Sequence, residues 1–137
     1  MPIKILITDP ISDRGIELLK EAGFEVLLKP NISSDKLQSY LGKIDGWIIR
    51  SGTKITKDFI NDAKKLQIIV RAGVGTDNID INSATSNGVI VMNVPDGNTI
   101  SAAEHTMAMM LSLSRNIQLG HMGLIKGDWD RHRLVGN

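Results

Sequence analysis

The chain has 137 residues, 42% of them apolar and 23% charged, and its formal net charge of +1 gives no case for bulk attraction to nucleic acid or to a membrane surface. The absence of cysteine excludes disulfides and thiolate metal sites and fits a reducing, cytoplasmic setting. No apolar run approaches ~18 residues, so no membrane span is expected, and the opening Met-Pro-Ile-Lys-Ile-Leu-Ile enters a strand without the apolar core of a signal peptide.

Short apolar runs then alternate with amphipathic stretches. Ile3 to Thr8 is β-branched and bounded by Asp9-Pro10, which reads as a buried strand. Ile11, Gly15, Leu18, Leu19 and Ala22 fall on one helical stripe, and Gly23 stands where a helix ends. Glu25 to Lys29 is a second strand closed by Pro30, and Ser33 or Ser34 caps a helix running to about Leu41. Trp47-Ile48-Ile49 is a third strand that delivers Arg50 at its end, and Thr56 opens a helix through Phe59, Ile60 and Ala63. Ile68 to Val70 is the fourth strand, Ile79 to Ser86 a short helix, and Val89 to Val94 the fifth strand.

From Thr99 to Arg115 a long helix is expected, with Ile100, Ala103, Met107, Met110, Leu111 and Ser114 on one stripe and Ala102, Met109 and Leu113 on a second apolar face. A helix apolar on nearly all sides wants burial on all sides. Beyond it, Gly120, Gly123 and Gly127 punctuate a weakly patterned tail. The pattern places a domain over residues 1–97 and a separate helix and tail over 98–137. Continuous apolar strands separated by helices argue a parallel sheet covered on both faces. Five such units suit an α/β, doubly wound, flavodoxin-like sheet of order 2-1-3-4-5, whose ligands bind at the rim formed by the carboxyl ends of the strands. That order brings Arg50-Ser51-Gly52, Gly73-Val74-Gly75 and Pro95 to Asn98 to one rim.

The glycine turn at 73–75 falls short of a dinucleotide fingerprint. Gly73 and Gly75 match the first two glycines of G-x-G-x-x-G, but Asn78 holds the third position. No acidic residue ends the next strand either. Two readings stand: a tight strand-to-helix turn and no more, or a nest whose Val74 and Gly75 N–H groups face a carboxylate. Arg50 is a solvated strand-end arginine when read alone; beside such a nest, its guanidinium suits phosphate or carboxylate. Asn98 is a helix N-cap and also within the same rim. Glu104 and His105 are adjacent on a helix and so face different ways, which favours packing or interface roles over an acid–base pair. His121 and His132 lack metal-ligand spacing, and Met107, Met109 and Met110 read as packing residues.

Arg50-Ser51-Gly52-Thr53, the run Arg71 to Asp80 and the run Asn93 to His105 together resemble the amino-terminal part of the D-isomer-specific 2-hydroxyacid dehydrogenases, and the run Asn98 to Met110 tilts this towards their phosphoglycerate-oxidising branch. The resemblance spans essentially the whole chain. It implies a substrate domain hinged to an NAD-binding Rossmann domain, and oxidation of 3-phosphoglycerate to 3-phosphohydroxypyruvate on the way to serine. It implies that Arg50, beside Ser51, binds the substrate phosphate, that the Val74 and Gly75 amides bind its carboxylate, and that Asn98 positions substrate near the hinge. Arg131 matches a basic position of the family near the substrate. The resemblance implies that the family's catalytic Arg, Glu and His and its G-x-G-x-x-G loop lie beyond the point where this chain ends. The chain alone is therefore expected to be inactive and to bind no NAD, with its 99–115 helix forming a homodimer. Other 2-hydroxyacids (glycerate, lactate) fit the same carboxylate nest, and a non-catalytic ligand-binding or interaction module of the same fold is the alternative from another class.

Overall fold

The computed structural model describes residues 2–135. These form two compact units that divide between Gly97 and Asn98. In the first, the strands are β1 (Lys4–Ile7), β2 (Glu25–Leu28), β3 (Gly46–Ile49), β4 (Ile68–Arg71) and β5 (Ile90–Met92). Between them run α1 (Asp13–Glu21), α2 (Ser34–Leu41), α3 (Lys57–Asp62) and α4 (Ile81–Ser86). All strand pairs are parallel, and the sheet order is β2-β1-β3-β4-β5, as the pattern of runs predicts.

Local chemistry sets the helix starts. Ser12 accepts a hydrogen bond from the Gly15 N–H, Thr56 from Phe59 and Asp80 from Ser83, each satisfying a donor that the first helical turn leaves unpaired. Ser33 caps α2 without a side-chain bond. α4 starts at Ile81, later than the expected Ile79, because the Asp80 side chain marks its N-terminus. Gly23 has φ 84° just past α1, a left-handed position that favours glycine.

The core lies on one face of the sheet. Leu6, Trp47, Ile49 and Ile69 point to that face and pack with Leu37 and Leu41 of α2, Ile60 of α3 and Ala84 of α4. Trp47 sits at its centre, between Leu6 on β1 and Ile69 on β4, with no solvent exposure. The Phe59 ring stands 6.3 Å from it, tilted by 57°. The other face is less complete than the expected two-sided cover. Ile5 and Ile7 are buried there, but strand register puts Ile68 and Val70 beside Ile90 and Met92, which remain 61% and 51% exposed.

The second unit holds α5 (Thr99–Ser114), α6 (Ile117–Ile125) and a short 3-10 turn at Arg131–Leu134. α5 follows the expected span, and none of its residues is buried. The stretch expected as a weakly patterned tail contains the helix α6. Asn116, at φ 52°, breaks the path between the two helices. Gly120 leaves room for Leu134, whose methyl groups would lie 3.5 and 3.6 Å from a Cβ there. Among the described residues no helix is long and apolar enough to cross a membrane, and no group of three His, Asp or Glu side chains is placed to hold a metal ion.

Candidate functional site at the carboxyl rim of the sheet

Adjacent parallel strands end together, so the loops after β3 and β4 are neighbours at one rim. Ile49 pairs with Arg71, and the Ala72 N–H donates to the Ile49 carbonyl at 2.8 Å. Arg50 and Ser51 therefore leave the sheet beside the 73–75 turn, and both are exposed. Of the residues expected to bind a ligand, Arg50, Ser51, Val74 and Gly75 lie on this rim of the first unit. Asn98 and Arg131 belong to the second unit. Asn98 stands at the N-cap of α5 without a side-chain cap bond, and Arg131 opens the 3-10 turn.

The turn itself is built for space. Neither Gly73 nor Gly75 has a positive φ, so the alternating backbone of a nest does not account for them. A Cβ at Gly73 would lie 2.9 Å from Nη1 of Arg71, and one at Gly75 would lie 2.7 Å from Oδ1 of Asp77. The Arg71 guanidinium thus lies against the turn. Its Nε is buried without an acceptor among the described residues. The Val74 and Gly75 N–H groups likewise donate to nothing among the described residues. Asn93, just past β5, donates from Nδ2 to the Val74 carbonyl at 2.6 Å, and the Val94 N–H donates to the Gly73 carbonyl at 3.0 Å. The Gly73 and Val74 carbonyls are therefore held from behind and the Gly73 N–H donates to the Arg71 carbonyl at 2.8 Å, which leaves the Val74 and Gly75 N–H groups for an acceptor.

The loop after β3 is fixed by a buried acid. Asp9, 5% exposed at the end of β1, accepts the Arg50 N–H at 2.6 Å, the Thr53 N–H at 3.0 Å and the Thr53 hydroxyl at 3.0 Å. Gly52 makes this approach feasible, because a Cβ there would lie 2.6 Å from Asp9 Oδ1. The Thr53 and Thr8 hydroxyls are 2.8 Å apart, and Trp47 Nε1 donates to Thr8 Oγ1 at 3.0 Å. With one proton per hydroxyl, every group is satisfied when donation runs from Trp47 to Thr8, to Thr53 and to Asp9. The chain of bonds reaches from the core to the rim. Arg50 Nη1 also donates to the Pro10 carbonyl at 3.4 Å.

Asp9, Arg71 and Asn78 are the functional residues that sequence reasoning missed. Asp9-Pro10 was legible as a strand boundary only, although an acid at the carboxyl end of a central strand already lies on the ligand rim.

The sequence pattern described as "D-isomer specific 2-hydroxyacid dehydrogenase, catalytic domain" matches residues 5–124. The chain belongs to this family. Among curated relatives, the D-3-phosphoglycerate dehydrogenase of Methanocaldococcus jannaschii is 46% identical over 98% of this chain and that of Sus scrofa 44% over 97%. The chain spans about a quarter of the length of each, 25%. Among solved structures, NAD+-bound 3-phosphoglycerate dehydrogenase of Entamoeba histolytica superposes with a TM-score of 0.73 at 33% identity, over 84% of this chain and 40% of that one. The fold, a five-stranded parallel α/β sheet, is thus the one its dehydrogenase relatives share.

The solved Entamoeba histolytica enzyme holds NAD+, but the glycine turn of this chain does not fit a dinucleotide. The third glycine position of the turn carries Asn78, whose amide is engaged with the loop after β3. The Arg71 side chain lies against the turn where a pyrophosphate would approach the backbone.

Proposed function

We propose that this chain is the substrate-holding part of an NAD-dependent oxidoreductase that converts 3-phosphoglycerate to 3-phosphohydroxypyruvate in serine biosynthesis. The observation that carries this reading is the pairing, on one rim, of an exposed arginine with a turn whose Val74 and Gly75 N–H groups have no partner among the described residues and which a second guanidinium flanks. A ligand anionic at both ends fits such a rim: its phosphate lies at Arg50 and Ser51, its carboxylate at Val74 and Gly75. Charge-assisted hydrogen bonds are the stronger class, about 1.5–3 kcal/mol each before solvent screening at this exposed rim. Holding both ends leaves C2 fixed between them, which is what stereospecific hydride removal requires. Asn98 and Arg131 are assigned to the same substrate in the longer protein, and the base and the nicotinamide to parts beyond the residues described.

A chain of this family that took a smaller acid, glycerate or lactate, would use the turn and leave Arg50 idle. Titration of the ¹⁵N-labelled chain with 3-phosphoglycerate separates the two readings. Arg50→Ala is expected to abolish the phosphate-dependent shifts of the Val74 and Gly75 amides, whereas Arg131→Ala leaves them in place. Shifts unchanged by Arg50→Ala would return Arg50 to the status of a solvated strand-end residue.

Assembly follows from α5 and α6. Ile100, Met107, Met110, Leu113 and Ile125 are each more than half exposed, a concentration of apolar surface that isolated soluble domains rarely leave uncovered. We assign the 99–115 helix to a homodimer in a cytoplasmic enzyme. Sedimentation velocity at about 50 µM, where weak interfaces populate, is expected to show a dimer or larger species; a clean monomer rules the assignment out.

A further inference from the structure

Asn78 occupies the position at which the glycine turn departs from a dinucleotide fingerprint, and its side chain points across the rim. Nδ2 donates to the Arg50 carbonyl at 2.7 Å and to the Thr53 carbonyl at 2.6 Å. Two carbonyl partners fix the orientation of the amide, since the flipped form would set Oδ1 against both oxygens. Oδ1 is buried without a donor among the described residues, so the residue gives up part of its own hydrogen bonding to hold the opposite loop.

We propose that Asn78 is a positioning residue that sets the spacing between the two anion-holding segments, and this rests on the reading of the rim given above. The loop after β3 is gripped from both sides. Asp9 takes the N–H groups of Arg50 and Thr53, and Asn78 takes their carbonyls. Both peptide planes flanking the Arg50 Cα are thereby fixed, and with them the direction in which its side chain leaves the backbone. Asn78 itself stands three residues after Gly75 in the loop that forms the turn. Its backbone reinforces the tie: the Ile55 N–H donates to the Asn78 carbonyl at 2.8 Å, beside the Ile55–Ile79 bridge. One residue of the turn's own loop therefore ties the arginine loop, already anchored on Asp9, to the turn. A ligand with two charged ends senses that spacing, whereas a ligand with one does not.

The test compares three probes on the ¹⁵N-labelled full chain: 3-phosphoglycerate, inorganic phosphate and D-glycerate. In the unmodified chain the two-ended probe is expected to bind more tightly than either one-ended probe. Asn78→Ala is expected to weaken 3-phosphoglycerate about tenfold while phosphate and glycerate change by less than about twofold, because only the two-ended ligand gains from a fixed separation of its subsites. A merely structural residue would weaken all three alike. An unchanged 3-phosphoglycerate affinity in Asn78→Ala, or an equal loss for all three probes, overturns the proposal. If Asn78→Ala loses its native amide dispersion, Asn78→Ser replaces it under the same criteria, since its shorter hydroxyl has one proton for two carbonyls. A two-ended probe that binds the unmodified chain no better than phosphate or glycerate overturns the reading of the rim itself, and this proposal with it.

Discussion

Trp47→Ala is expected to remove a large part of the stability of the first unit. The side chain has no solvent exposure, sits mid-sheet between Leu6 and Ile69, and packs against Phe59. Removing a buried aromatic side chain costs about 3–5 kcal/mol, because the surrounding side chains collapse only partly into the space. A domain of this size has on the order of 5–15 kcal/mol in total. The mutation also removes the Nε1 donor to Thr8 at the head of the bond chain that ends on Asp9. Urea unfolding followed by far-ultraviolet circular dichroism measures the loss. Trp47→Phe keeps most of the volume and separates the lost hydrogen bond from the lost packing. A cost below about 1 kcal/mol for Trp47→Ala would contradict the burial on which the core argument depends.

Asp9→Ala is the second large effect, and it acts on stability and on the rim together. Three donors converge on this carboxylate, two of them backbone N–H groups at Arg50 and Thr53. Leaving a buried donor unpaired costs about 1–3 kcal/mol, so a total near 3 kcal/mol is expected. Asp9→Asn retains one acceptor oxygen but turns an NH₂ group towards a donor, so it should fall between the native chain and Asp9→Ala. The loop carrying Arg50 and Ser51 loses its anchor in both variants, and amide hydrogen exchange at Arg50 and Thr53 should quicken more than in the core strands. Equal exchange rates at those two amides before and after the change would show that Asp9 is a bystander.

Much of this architecture was legible because the fold repeats one local rule. Each apolar run followed by a capped amphipathic stretch is a strand and a helix, and five such units suit the flavodoxin-like order that the sheet adopts. The strand limits differ from the expected ones by a residue or two, as at Ile3 and Thr8. What stayed hidden depends on long-range pairs. Asp9 meets Arg50 and Thr53 across 41 and 44 residues of sequence, and nothing local to Asp9-Pro10 announces them. Asn78 read as a missing glycine because motif logic asks what a position lacks, whereas its side chain reaches 28 residues back to the Arg50 carbonyl. Arg71 read as the opening of the run Arg71 to Asp80, with no local sign that its guanidinium returns over Gly73. α6 escaped because Gly120 and Gly123 interrupt it and apolar residues occur on every side, so no helical period stands out.

The strand order has a consequence for how the chain comes off the ribosome. β1 is made first and ends between β2 and β3; every later strand then joins at an outer edge, β3 next to β1, β4 next to β3 and β5 next to β4. No strand has to wedge between two that are already paired. Each can therefore dock in order of synthesis on a template that exists when it emerges, which shortens the time unpaired edges stand open to other chains. On this schedule Asp9 is in place before Arg50 appears, and Arg50 before the turn at 73–75. Asn93, which holds that turn from behind, arrives last, so the rim proposed to hold the anion is complete only when the sheet has reached its fifth strand.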